Sequence, residues 1–129
     1  MKMTVSAIEV VKEFYRRMNT NDFHSAGQLL SDSYILEWPQ SKERIRGRDN
    51  FVAVNNEYPA YGRWLFTINR LVGNATEAVS DVSITDGTQV ARAITFTTVQ
   101  EGKIVKQVEF WPENYDAPEN RKHLVEVME

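Results

Sequence analysis

The sequence predicts an α+β fold: a cone-shaped, curved antiparallel sheet packed against three N-terminal helices. Three observations carry this reading. Apolar residues recur at helical spacing through most of the chain up to Glu57. From Trp64 to Trp111 the periodicity changes to two, the spacing of half-buried strands. The strands of that second part are joined by short turn signals, Gly73-Asn74, Asp86-Gly87 and Glu101-Gly102. Helices followed by a meander indicate α+β rather than alternating βαβ units. Strands of this length curl, and helices laid across the concave side close a cone around an interior cavity.

The first helix starts at Ser6, with Glu9 at the capping-box spacing, and Ile8, Val11, Phe14, Tyr15 and Met18 form its apolar stripe. Asn19-Thr20-Asn21 breaks it. Asp22 caps a short second helix that turns Phe23, Ala26, Leu29 and Leu30 inward and ends at Ser31-Asp32-Ser33. Tyr34 to Trp38 reads as a short strand closed by Pro39, and the polar stretch Gln40 to Gly47 as a loop. A third helix covers Arg48 to Glu57, with Phe51, Val52 and Val54 buried. The aromatic turn Tyr58-Pro59-Ala60-Tyr61-Gly62 has the look of a rim or lid. Strands then run from Trp64 to Val72 and from Glu77 to Thr85. The long hairpin that follows spans Gln89 to Trp111 and turns at Glu101-Gly102. Pro112 ends it, because proline has no N–H to give a ladder. A final amphipathic helix is expected from Glu119 to Met128, with Leu124, Val125 and Met128 apolar.

At 129 residues the chain is long enough for one domain, 1–129, with a sizeable core. A net charge of −3 with no basic run argues against nucleic acid as a partner. The absence of cysteine excludes disulfides, thiolate catalysis and cysteine-bound metal, and fits a cytoplasmic location. No apolar run approaches the roughly 20 residues of a membrane span, and no signal peptide is expected. His24 and His123 are isolated and expected at the surface, so no metal site is expected. No serine lies in a nucleophile-elbow pattern and no glycine-rich phosphate loop is present, so no cofactor is expected.

One face of the long hairpin is unusual. Arg92, Gln107, Glu109 and Trp111 are polar or amphipathic residues on long, central strands. Either they face water, or they line a concave pocket. Trp38, Trp64 and Trp111 are more often core than ligand platform in a domain of this size, but in a cone fold an aromatic-lined cavity suits a flat apolar small molecule.

The stretches FYRRMNTNDFHSAGQLLSDSYILEWP, IRGRDNFVAV and EGKIVKQVEFWPENYDAP, in this order and spacing, carry a resemblance over nearly the whole chain. It resembles the SnoaL-like members of the nuclear transport factor 2 superfamily, the cone-shaped, cystatin-like α+β barrel shared with ketosteroid isomerase. The resemblance implies a pocket between the concave sheet face and the first helices. Its implied lining is Phe14, Met18, Trp38, Trp64, Arg92, Gln107, Glu109 and Trp111; the aromatic turn read above adds Tyr58 and Tyr61 as ligand-binding candidates at the rim. It also implies a homodimer formed through the exposed sheet face. The catalytic set of ketosteroid isomerase, an Asp base with a Tyr and a protonated Asp at the oxyanion, falls here on Trp38, Phe14 and Arg92. All three types are changed, so steroid isomerisation is not expected. A one-residue shift of the match would bring Glu37 and Tyr15 to the first two positions.

The remaining acid–base candidate is Glu109, with Arg92 on the neighbouring strand. The two are expected to meet, either as a structural ion pair or with Arg92 clamping an anion while Glu109 acts as base. An arginine that close would lower the glutamate's pKa and weaken it as a base. The expected guest is a small apolar or carbonyl-bearing molecule. The protein is then either a cofactor-free isomerase, cyclase or hydratase, or a non-catalytic binding or dimerisation module.

Overall fold

The structure is a computed structural model that describes residues 5–128. Residues 1–4 and 129 of the expected single domain 1–129 lie outside the described residues. Helices α1 (Ala7–Met18) and α2 (Phe23–Gly27) come first, then strands β1 (Leu30–Trp38) and β2 (Glu43–Arg46) and helix α3 (Arg48–Glu57). Strands β3 (Leu65–Gly73), β4 (Glu77–Thr85), β5 (Val90–Gln100) and β6 (Lys103–Phe110) complete the sheet. Its order is β2-β1-β6-β5-β4-β3, curved and unclosed. The first and last long strands, β1 and β6, run parallel, and every other neighbouring pair is antiparallel.

Local chemistry places the elements. The Ser6 hydroxyl accepts the Glu9 N–H at 3.2 Å and opens α1. Glu101 and Gly102 both take positive φ, 51° and 76°, which gives the tight β5–β6 hairpin the twist its strands need. Asn21 stands at φ 63°, a region asparagine tolerates better than most residues. Its amide and that of Asn19 then do something the sequence pattern did not reveal. Asn19 bonds both backbone groups of Phe66, and Asn21 both backbone groups of Trp64, all at 2.7–2.9 Å. The loop after α1 thereby pairs with the free edge at the start of β3.

The concave face of the sheet carries small residues where the helix lies against it: Ala78, Ser80 and Val82 on β4, and Ala93, Thr95 and Thr97 on β5, all buried. Phe14, Tyr15 and Met18 of α1 fill the space those residues leave and are themselves no more than 5% exposed. Each such burial stabilises by roughly 1.5–3 kcal/mol. Phe14 meets Tyr15 and Phe51, and Tyr34 of β1 stands edge-on to Phe51.

Four expectations are corrected. Gln40 to Gly47 is not all loop, because Glu43–Arg46 folds back on β1, with Glu37 opposite Arg44. Its alternation Arg44-Ile45-Arg46 is a strand pattern too short to stand out in a polar stretch. Second, β1 begins at Leu30, so α2 stops at Gly27. Third, the closing α-helix does not form. Glu119–Leu124 is a 3₁₀ turn with no buried residue, and Leu124, Val125 and Met128 are exposed. An amphipathic pattern makes a stable helix only when its apolar face finds a surface to cover.

The fourth correction concerns Arg92. Thr95 pairs with Glu109 and Thr97 with Gln107, and cross-strand partners share a face. The concave face of β5 is therefore its Ala and Thr set, while Arg92 and Phe96 point outward.

Candidate functional site

A cavity of about 500 Å³ opens at one end of the cone. Phe23 of α2, Phe66 of β3 and Ile84 of β4 form its inner wall. Val54, Asn55 and Tyr58 close it from the α3 side, and Gln40 and Ser41 from the β1–β2 turn. Gln89, Val90 and Ala91 contribute the start of β5, and Trp111 and Glu113 the end of β6 and the residues after it. The mouth takes its shape from two hydrogen-bonded anchors. Gln40 bonds both the N–H and the carbonyl of Trp111, tying β6 to the β1–β2 turn. Asp86 accepts from the backbone N–H groups of Tyr61, Thr88 and Gln89 at 2.7–2.9 Å, which fixes the aromatic turn against the β4–β5 hairpin. These donors hold the Asp86 carboxyl far below the usual carboxylate range.

All three tryptophans of the chain line this space. Trp38 and Trp111 stand edge-to-face, with centroids 6.4 Å apart at 75°, and Tyr58 and Trp64 at 5.8 Å and 66°.

Behind Trp38 lies Glu109. Its Oε1 accepts from Trp38 Nε1 at 3.0 Å, and its Oε2 from Thr95 Oγ1 at 2.6 Å. Burial pushes this carboxyl above its ordinary value; the two donors oppose the shift but do not cancel it. One turn deeper, Tyr34 donates to Gln107 Oε1 at 2.6 Å, and Gln107 donates to Thr97 Oγ1 at 3.3 Å. Burial first, and the nearby Glu109 charge second, raise the Tyr15 and Tyr34 hydroxyls well above the ordinary tyrosine value. Thr95, Glu109, Gln107 and Tyr34 therefore form a buried polar cluster behind the aromatic chamber, joined to it through the Trp38 indole and not part of its lining.

Of the residues expected in the pocket, Trp38, Tyr58, Trp64 and Trp111 line the cavity. Gln107 and Glu109 do not line it; they are buried behind Trp38. Phe14 and Met18 are core residues and do not reach it, and Tyr61 is 78% exposed outside it. Arg92 does not meet Glu109. It is on the convex face, 58% exposed at the side chain, and its Nε donates to Asp81 Oδ1 at 2.8 Å, with a second bond from Nη2 to Oδ2. The clamp-and-base pair is thus corrected to a surface ion pair and a separate buried carboxyl. Glu37 also faces outward, paired with Arg44 at 2.7 Å and Lys106 at 3.3 Å, so it offers the cavity no base.

Sequence reasoning missed Phe23, Phe66, Ile84, Gln89 and Ala91 as lining residues. For Ala91 the signal was present in the alternation of β5, but it was assigned to the wrong face. Among the described residues, no group of three or more His, Asp or Glu side chains is placed to hold a metal ion. Among them, too, no helix is long and apolar enough to cross a membrane.

Comparison with known proteins places this geometry. The profile of the SnoaL-like domain matches residues 11–107. A Kribbella flavida protein, provisionally described as a ketosteroid isomerase, is 31% identical, with 95% of this chain and 89% of that chain covered at a TM-score of 0.86. An NTF2-like protein of unknown function from Burkholderia xenovorans is 24% identical, covering 94% of each chain at a TM-score of 0.76. A Catenulispora acidiphila protein with a ketosteroid isomerase-like fold, solved in complex with trimethylamine, shares the fold at 10% identity. It covers 81% of this chain and 85% of that one at a TM-score of 0.67. No curated protein matches significantly.

Proposed function

The chain belongs to the SnoaL-like family of the nuclear transport factor 2 superfamily, and from that premise we propose that it holds a small, largely apolar molecule in the chamber beneath Trp38, Trp64 and Trp111. The observation that carries the reading is a cavity of about 500 Å³ whose wall is mostly apolar and aromatic, with a few polar side chains among them, Gln40, Ser41, Asn55, Gln89 and Glu113. That is the usual composition of a small-molecule site, in which apolar walls supply affinity and a few polar groups fix orientation. The fit also agrees with a neighbour of the same fold solved with a small molecule bound. The test is calorimetric titration with a neutral apolar probe, N-phenyl-1-naphthylamine. We expect saturable one-to-one binding, weakened about tenfold or more by Trp111→Ala, since a buried aromatic anchor carries that much binding energy. Absence of binding to the folded wild type would overturn the reading.

A second reading, acid–base catalysis on a carbonyl compound, is favoured by one observation. Burial raises Glu109, which moves a carboxyl toward the range useful for proton transfer near neutral pH. Glu109→Gln would then abolish turnover while leaving binding of the apolar probe nearly unchanged. Against this role, both Glu109 oxygens already accept hydrogen bonds and the carboxyl stands behind Trp38 rather than on the wall.

The working form we propose is a cytoplasmic homodimer joined through the convex sheet face. Phe96, 48% exposed and edge-on to Phe110, supplies an apolar centre for such an interface.

A further inference from the structure

Resting on the small-molecule reading of the same chamber, we propose that its guest is an organic cation, an ammonium group carrying methyl or larger apolar substituents. Three features of the wall point there. The first is its aromatic content. Trp38, Tyr58, Trp64 and Trp111 stand in two pairs inclined at 75° and 66°, so rings bound the space in several planes. A neutral guest needs only apolar area, which leucine or valine would give equally well. Aromatic rings add a negative π face, which attracts a desolvated cation.

The second feature is charge. Among the described residues lining the chamber, Glu113 is the one charged side chain, and it is acidic. Three cationic side chains of the sheet are turned outward and occupied, Arg92 by Asp81 and both Arg44 and Lys106 by Glu37. An anionic guest would meet the Glu113 carboxylate and no counter-charge on the wall. A cation meets Glu113 at the mouth and Glu109 behind the wall.

The third is the bond between Glu109 and Trp38. A carboxyl oxygen accepting the indole N–H polarises that N–H and enriches the electron density of the ring, which strengthens the ring's attraction for a cation on its face. This gives Glu109 a positioning role that needs no contact with the guest: it orients Trp38 and makes its face more negative.

Two probes of equal shape separate charge from shape: phenyltrimethylammonium and its carbon isostere, tert-butylbenzene. Calorimetric titration of the full chain is expected to give about tenfold tighter binding of the cation than of the isostere. Trp64→Leu, which keeps apolar bulk and removes the π face, should lower cation affinity severalfold and leave the isostere nearly unchanged. The wild-type comparison stands alone if that variant does not fold. Equal or tighter binding of tert-butylbenzene would overturn the cation inference while leaving the apolar chamber intact. Failure of both these probes and of N-phenyl-1-naphthylamine to bind would overturn both. Binding of the naphthylamine alone would overturn the cation inference only.

Discussion

Glu109 is a carboxyl that folding carries to a place where its charge is costly. Because burial raises its folded value, its protonated form favours the folded state. That contribution is complete below the ordinary glutamate value of about 4.3 and is lost as pH rises through the raised folded value. Glu109→Gln keeps an oxygen for Trp38 Nε1 and cannot ionise. We therefore expect urea titrations to show the stability of the wild type falling relative to the variant as pH rises from about 4 to 8. A difference that does not change with pH would place the carboxyl in water-like surroundings. The residue was legible in the sequence as the acidic member of an inward face, and so were Trp38, Tyr58, Trp64 and Trp111 as pocket wall. Arg92 was not. Alternation says which residues share a side but not which side is concave. A long, polar side chain such as Arg92 suits a pocket wall by its chemistry, whereas on β5 the concave side is marked by Ala91, Ala93, Thr95 and Thr97, whose small size makes room for Phe14 and Tyr15.

At the scale of elements, the clearest signals were those with a local cause. The cap at Ser6, the helix from Arg48 and the turns at Asp86-Gly87 and Glu101-Gly102 depend on neighbouring residues alone, and they fall where the sequence puts them. Elements that depend on a distant partner were harder to read. Strand β2 exists because β1 offers an edge, and the last apolar stripe fails to form an α-helix because no surface receives it. The pairing of Asn19 and Asn21 with β3 is of the same kind, since nothing in Asn-Thr-Asn announces a partner more than forty residues away. These amides are part of what attaches α1 to the sheet. Asn19→Ala removes two hydrogen bonds to the backbone of Phe66 and should destabilise the protein by about 1–3 kcal/mol in chemical denaturation. A cost near zero would mean that water replaces the amide without loss.

For the molecule as a whole, the convex and concave faces of one sheet divide the work. The convex face carries Val72, Val79, Phe96 and Val108 in one cross-strand row, flanked by the Arg92–Asp81 pair. If that face joins two copies, Phe96→Glu should shift light scattering from dimer to monomer and weaken association by about thirtyfold or more, with the melting temperature of the monomer little changed. A protein that is monomeric before the substitution would dismiss the interface. The concave face has a different consequence. Every indole the chain possesses borders the same empty space, and none is spent elsewhere. The intrinsic fluorescence of this protein is therefore a spectrum of its cavity: emission excited at wavelengths selective for tryptophan will respond to a guest's arrival without any attached dye. In a melt, that same emission will follow the dissolution of the chamber, which can precede the loss of the sheet's circular dichroism.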